Sequence, residues 1–266
     1  MEKWPRGKGP EVVPEMNEAE KDDSTVRILT YNTHVCIRAS KSSERIRNLW
    51  KHVLPSRCKL DNLAMIAGIV SGFDVVGLQE SDGGSLRSYF ANHTGMLARL
   101  ARFDHWAELV NRDLYVARHS IGFLSRHPIV DVQRYRLPSR IPGRGLLVAR
   151  IDVGGLPLAV AVGHLSLGER DRIRQALAIT DIVRGLGCRT VLMGDFNCGA
   201  SSDVMRFIAE RSGLTRAACG IPTYPSWRPV RDIDHVLVSE GIAVHNARTL
   251  QVSVSDHLPV AVDVEL

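Results

Sequence analysis

Short apolar runs that each stop on a polar residue constrain this chain more than any other feature. "ILTYN" ends on Asn32, "VVGLQE" on Glu80, "LAVAVGHL" reaches His164, and "VLMGDFN" closes on Asp195 and Asn197. Runs this short, bounded by turn residues, read as buried strands. Between them lie amphipathic stretches such as "ERDRIRQALAITDIVRGLG", whose apolar spacing and glycine stop predict a helix. Interleaved strands and helices, with no repeat and no linker after residue 24, predict one α/β-type domain over residues 25–266 with a largely buried sheet. Residues 1–24 are Pro-rich and then charged ("NEAEKDD"), and read as a mobile tail with too little apolar surface to order itself.

Further elements follow from the same spacing. "SSERIRNLWKHVLP" reads as a helix with Ser42 or Ser43 as N-cap, and "LDNLAMIAGIVSG" as a second one burying Leu60, Leu63, Ala64, Ala67 and Val70. "SLRSYFANHTGMLARLARF" has a helical pattern weakened in its middle by Gly95. "RYRLPSRIPGRG", with two prolines, reads as a loop carrying Arg134, Arg136, Arg140 and Arg144.

Bulk properties narrow the partners. A formal charge of +5 favours an anionic partner: nucleic acid, a phosphorylated small molecule or an anionic lipid surface. No apolar stretch approaches the roughly 20 residues needed to span a bilayer, and the first residues lack an apolar signal core. The five cysteines form no paired CxxC spacing, and their odd number points to reduced thiols in a cytoplasmic protein rather than a disulfide framework or a zinc site. No protein partner is inferred.

Asp195 and Asn197, two apart at a strand end, face the same side. Such oxygen ligands suit a hard divalent cation or a reacting phosphate, and equally a plain turn. Singly, each polar strand end has an ordinary explanation: Asn32 as a turn residue, Glu80 as a helix cap, Asp234 as a satisfied strand-edge carboxylate, His164 and His257 as core histidines. Together they suggest one cleft along a sheet edge, because a buried carboxylate requires a partner, and a shared metal ion would serve several at once.

The motifs "TYN", "LQE", "HLS", "GDFN" and "SDHLP", in that order, resemble the endonuclease/exonuclease/phosphatase superfamily over about residues 26–266. The resemblance implies an α+β fold, a four-layer α/β/β/α sandwich of two mixed β-sheets flanked by helices, with the site at one end. It implies Glu80 as the main magnesium ligand with Asn32 and Asp256 nearby, manganese being an alternative ion. Asp195 would orient or deprotonate the attacking water, and Asn197 would hold a phosphate oxygen or the metal. His257 would contact the phosphate or move a proton with Asp234 fixing its tautomer, and His164 would donate to a phosphate oxygen. Two departures stand out: Gly163 where many relatives have Thr, and Ile121 where relatives often place a polar group.

Arg144, Arg228 and Arg231 could clamp phosphates, or belong to solvated basic loops. The expectation is a metal-dependent phosphoesterase attacking phosphorus in line with water, of nuclease type because the basic balance suits a polyanionic backbone. Two alternatives stay open: a phosphatase or phosphodiesterase acting on a phospholipid head group or small phosphate ester, and a catalytically silent phosphate- or nucleic-acid-binding module.

Overall fold

The computed structural model describes residues 25–37, 54, 57–252 and 254–266. The expected N-terminal tail and the helix expected from Ser42 or Ser43 lie outside the described residues. One six-stranded sheet contains β1 (Thr25–Asn32), β2 (Val75–Asp82), β3 (His105–Leu114), β4 (Ala117–Ser125), β11 (Ala243–Thr249) and β12 (Val260–Glu265), in the order β11-β12-β1-β2-β4-β3. The other contains β5 (Ile129–Arg136), β6 (Gly145–Val153), β7 (Leu156–His164), β8 (Arg189–Asp195), β9 (Thr215–Ala218) and β10 (Asp234–Val238), in the order β5-β6-β7-β8-β10-β9. In each sheet one central pair is parallel, β1 with β2 and β7 with β8, while the flanking pairs are antiparallel.

Strand alternation sorts side chains into layers. Val160 and Val162 of β7 face the other sheet, where they join Ile28, Phe123, Val191 and Val262 in a core between the sheets. Ala159 and Ala161 face outward, under α3 (Glu169–Arg184) and α4 (Asp203–Ser212), with Ile179, Val183 and Ile208. On the opposite face α1 (Arg57–Val70) and α2 (His93–Leu100) cover β1 and β2 through Leu63, Ile66, Val70 and Leu97. The architecture is the four-layer sandwich of two mixed sheets.

Several expectations need correction. The helix expected across residues 85–103 is a short 3₁₀ turn at Leu86–Ser88 followed by α2 alone, because Tyr89 and Phe90 adopt positive φ (54° and 60°) and Asn92 caps a new start through Gly95 N–H. Leu60 and Ala64 are exposed, and α1 buries Ile66 instead. Arg134 and Arg136 lie in strand β5 rather than in a loop, since that segment pairs with β6 along its length. Ile121 is fully buried in the core between the sheets and takes no part in a site.

Gly194 is required by the close approach of β8 to β7. It pairs with Gly163 at φ 146°, and a Cβ there would overlap the Gly163 carbonyl oxygen and fall 2.9 Å from its carbonyl carbon. Gly163 itself is unconstrained, for a Cβ there would meet Leu146 Cδ1 at an ordinary 3.5 Å.

Candidate active site

The two parallel strand pairs bring their C-terminal ends to one edge of the sandwich. β1 ends on Asn32, β2 passes through Glu80, β7 ends on His164 and β8 on Asp195, with Asp234 opening the antiparallel β10 directly across from Asp195. A bulge between Leu78 and Ser81 interrupts the pairing of β2 with β4, and Glu80 sits in it at φ 52°. Holding a glutamate in the left-handed region carries strain, of order 1–3 kcal/mol, and a bulge re-aims its side chain out of the strand alternation.

Asp195, buried, is the hub. Its Oδ1 accepts the Asn197 backbone N–H at 2.9 Å and its Oδ2 accepts Asn32 Nδ2 at 3.0 Å. His164 Nε2 lies 3.5 Å and His257 Nε2 3.9 Å from that same Oδ2. Burial raises the pKa of the Asp195 carboxyl, and Asp234 adds to the rise; His257, the Asn197 amide and Asn32 offset part of it. A carboxylate whose basicity is raised in this way is suited to take a proton near neutral pH.

Behind it stands a histidine–aspartate pair. Asp234 Oδ2 accepts from His257 Nδ1 at 2.8 Å and from Thr223 Oγ1 at 2.5 Å. Burial alone would lower the His257 pKa, but Asp234 first, then Asp195 and Asp256, outweigh it and hold it up at about 10. The Tyr224 ring, 4.9 Å away between centroids, packs on the imidazole. Ligand atoms of Asp195, Asp234 and His257 lie within 4.8 Å of one another, close enough for a cation. The hydrogen bond between His257 Nδ1 and Asp234 Oδ2 already pairs two members of this group, which suits it to proton handling.

Glu80 suits the ion better. Burial would raise its pKa, yet the positive charge around it, that of His257 and Arg144 included, outweighs this and brings it to about 2, so it is ionised. Its carboxylate accepts no hydrogen bond among the described residues, and His164 Nε2 lies 3.8 Å from its Oε1. A partly exposed anion with open lone pairs suits a hard divalent cation. Burial, and then Arg144, depress His164 to about 3 and keep it neutral. Arg144 Nη1 lies 2.8 Å from Nδ1 and 2.5 Å from Nε2 of that ring.

The remaining expected residues divide. Asn32 Oδ1 accepts the His34 N–H at 3.0 Å, so the amide here locks the turn after β1 and supports Asp195. Asn197, at φ 53°, directs Nδ2 onto the Leu165 carbonyl at 2.9 Å. Asp256 stands 3.6 Å from His34 Nδ1. Arg144 reaches the centre, whereas Arg228 and Arg231 are exposed on the turn beside Tyr224, with Arg231 Cζ 5.7 Å from that ring.

Sequence reasoning missed His34, which a left-handed turn (φ 46°, 53° and 57° at His34, Val35 and Cys36) folds back onto the site. It also missed a cavity of about 780 Å³ opening beside Glu80 and His164, walled by Asn111, Arg112, His119, Ser120, the loop at 140–144 and the segment 166–171 that enters α3.

The profile of the Endonuclease/Exonuclease/phosphatase family matches residues 29–257. Among solved structures, an endonuclease/exonuclease/phosphatase from Beutenbergia cavernae is similar at 23% identity and TM-score 0.74, over 91% of this chain and 72% of that one. The mannosyl-6-phosphatase Bt3783 of Bacteroides thetaiotaomicron aligns at 17% identity and TM-score 0.68, over 91% of this chain and 100% of that one. A humanized TDP2 from D. rerio aligns at 15% identity and TM-score 0.65, over 91% and 100%. No curated protein sequence matches significantly.

Proposed function

Since the chain belongs to the endonuclease/exonuclease/phosphatase family, we propose that it is a divalent-metal-dependent phosphoesterase that cleaves its substrate by in-line attack of water on phosphorus. The observation that carries this reading is the convergence of Asn32, His164 and His257 on Asp195 Oδ2, with ionised Glu80 beside them. Asp195 takes the proton of the attacking water, and the Asn197 and Asn32 hydrogen bonds keep its carboxylate aimed. The imidazolium of His257, held in one orientation by Asp234, faces the negative charge that builds on the phosphoryl oxygens. Arg144 and His164 supply donors on the opposite side. Glu80, with Asn32 and Asp256 nearby, would hold the metal, magnesium or manganese, whose chemistry is to polarise the phosphate and stabilise the leaving oxygen.

For the substrate, the geometry favours a compact phosphate ester, because the cavity beside Glu80 and His164 is walled by two loops and the β3–β4 strands. The nuclease-type reading rests on the +5 charge, on Arg144 at the centre and on Arg228 and Arg231 exposed on the turn beside Tyr224. The free thiols of Cys36, Cys188, Cys198 and Cys219 support placing the protein in the cytoplasm, and among the described residues no helix is long and apolar enough to cross a membrane.

Turnover of single- and double-stranded DNA, RNA, a phospholipid and simple phosphate esters, each with magnesium, with manganese and with chelator, tests this. We expect metal-dependent hydrolysis that Asp195→Ala lowers at least ~10³-fold, the scale of losing a positioned general base. Binding without turnover under every metal would instead support the silent module.

A further inference from the structure

Glu80 stands where both neighbouring ladders of β2 give out. Pairing with β1 ends at Gln79, the register partner of Asn32. Pairing with β4 breaks between Leu78 and Ser81, so Gln79 and Glu80 together face Ile121. A glutamate at positive φ persists in such a gap only when its surroundings over-determine it. The residues on either side are pinned. Gln79 Nε2 donates to Thr30 Oγ1 at 3.0 Å, and buried Asp82 accepts the Ser85 N–H and the Ser88 hydroxyl, both at 2.9 Å, on Oδ1. These contacts fix where β2 enters and leaves the bulge.

Glu80 itself is gripped from β1. Thr33, the residue after Asn32, is fully buried at φ −86° and ψ −4°, the last ordinary backbone before the left-handed turn at His34. Its N–H donates to Gln79 O at 2.9 Å, and its Oγ1 lies 3.1 Å from both Gln79 O and Glu80 O. Gln79 O already accepts the N–H, which leaves the single hydroxyl proton for Glu80 O. Those two carbonyls belong to the peptide planes on either side of the Glu80 Cα. A residue has only two soft backbone dihedrals, so holding both planes holds φ and ψ together, and with them the direction of Cβ and the carboxylate. Thr33 is anchored in turn by its neighbour. Asn32 donates Nδ2 to Asp195 Oδ2 at 3.0 Å, and its carbonyl accepts the Ser255 hydroxyl at 2.7 Å. One turn thus serves both Glu80 and Asp195.

Resting on the phosphoesterase reading above, we propose that Thr33 is a positioning residue for the cation, its hydroxyl and N–H keeping Glu80 in the left-handed conformer that presents its carboxylate to the site. Thr33 touches neither ion nor substrate. Its effect is on affinity, because a carboxylate free to relax is competent to bind for only part of the time, and the apparent affinity falls by that fraction.

Binding of Mn²⁺, read from the electron paramagnetic resonance signal of the free ion, tests this without substrate on the wild type, Thr33→Ser and Thr33→Ala. Serine keeps the hydroxyl and alanine loses it, so the pair isolates that group. The expected result is an affinity ~10-fold or more lower for Thr33→Ala and within about twofold of the wild type for Thr33→Ser, the scale of a lost support behind a metal ligand. In turnover the same loss shows as a higher Mn²⁺ requirement that saturating metal overcomes. A merely structural threonine would lower Tm without moving the affinity. Equal affinities for the serine and alanine variants overturn the inference and leave the phosphoesterase reading standing. Thr33→Val, which fills the space without the hydroxyl, takes the place of Thr33→Ala if the latter does not fold. If the wild type neither takes up Mn²⁺ nor hydrolyses any ester, the phosphoesterase reading fails, and crystal structures of the wild type and the alanine variant decide the positioning alone. Glu80 leaving positive φ in the variant upholds it, and an unmoved Glu80 overturns it.

Discussion

Replacing Gly194 by alanine should damage stability and chemistry together. The added Cβ would overlap the Gly163 carbonyl oxygen and come within 2.9 Å of its carbon, where carbon contacts sit at about 3.5–4.0 Å. Strands β7 and β8 must therefore separate by roughly 1 Å, in the middle of a sheet packed on both faces. A residue other than glycine at φ 146° adds about 1–3 kcal/mol of backbone strain, and overpacking about 1–3 more. A loss of about 4 kcal/mol corresponds to a Tm lower by roughly 10 °C for a domain of this size. Gly163 and Gly194 immediately precede His164 and Asp195, so the separation opens the 3.5 Å contact between those side chains. Misplacement of about 1 Å is enough for a ~100-fold fall in turnover. Thermal unfolding followed by circular dichroism, with phosphoester turnover measured at 20 °C, reads both effects. Gly163→Ala is the control and should shift Tm by no more than a few degrees, since its Cβ meets only ordinary contacts. If Gly194→Ala melts with the wild type and retains full turnover, the close approach of the two strands is not as described.

Two further outcomes can be checked. Asp234→Asn removes the group that does most to raise the His257 pKa to about 10, so the alkaline limb of kcat/KM should move down by at least ~1 pH unit; an unmoved limb would detach the imidazolium from the reaction. Burial depresses His93 to about 4 against an ordinary 6.5, so between those pH values the unfolded chain binds more protons than the folded one. Stability from this residue is therefore full above pH 6.5 and declines as pH falls towards 4, by at most about 3 kcal/mol. Urea midpoints at pH 7 and 4.5 should differ for the wild type and differ less for His93→Gln; equal midpoints in the wild type would contradict the burial argument.

The strand-end residues were legible because a buried run that stops on Asn, Glu, His or Asp leaves a local signature. The edge strands left none. β5, β9 and β11 lie at sheet margins with only Ala218 among their residues buried, so their alternation is blurred by polar residues on both faces. The cavity wall was illegible for a different reason. Asn111, Arg112, His119 and Ser120 reach the site only because β4 pairs with β2 and β3 with β4, across a long stretch of chain. Nothing in "VNRDLYVARHS" announces that placement. His34 needed three successive residues of positive φ, one of them a β-branched valine, which no propensity would suggest.

Thr25 and Glu265 are register partners, so β1 and β12, the first and last described strands, begin and end side by side. Followed as a ring, the strands run twice through one sequence of moves: an antiparallel pair, a parallel pair, an antiparallel pair, first as β11, β12, β1, β2, β3, β4 and then as β5 through β10. The two circuits are equivalent in outline and unlike in the chemistry at corresponding posts. Where one carries Asn32 and Glu80, the other carries His164 and Asp195. On the proposed reading the first half offers the seat for the ion and the second the base, while His257, between β11 and β12, reaches across to Asp234 of the second half. A circular permutant joined between 265 and 25 and opened between β4 and β5 would make each circuit a continuous half, neither able to hydrolyse anything until it found its complement.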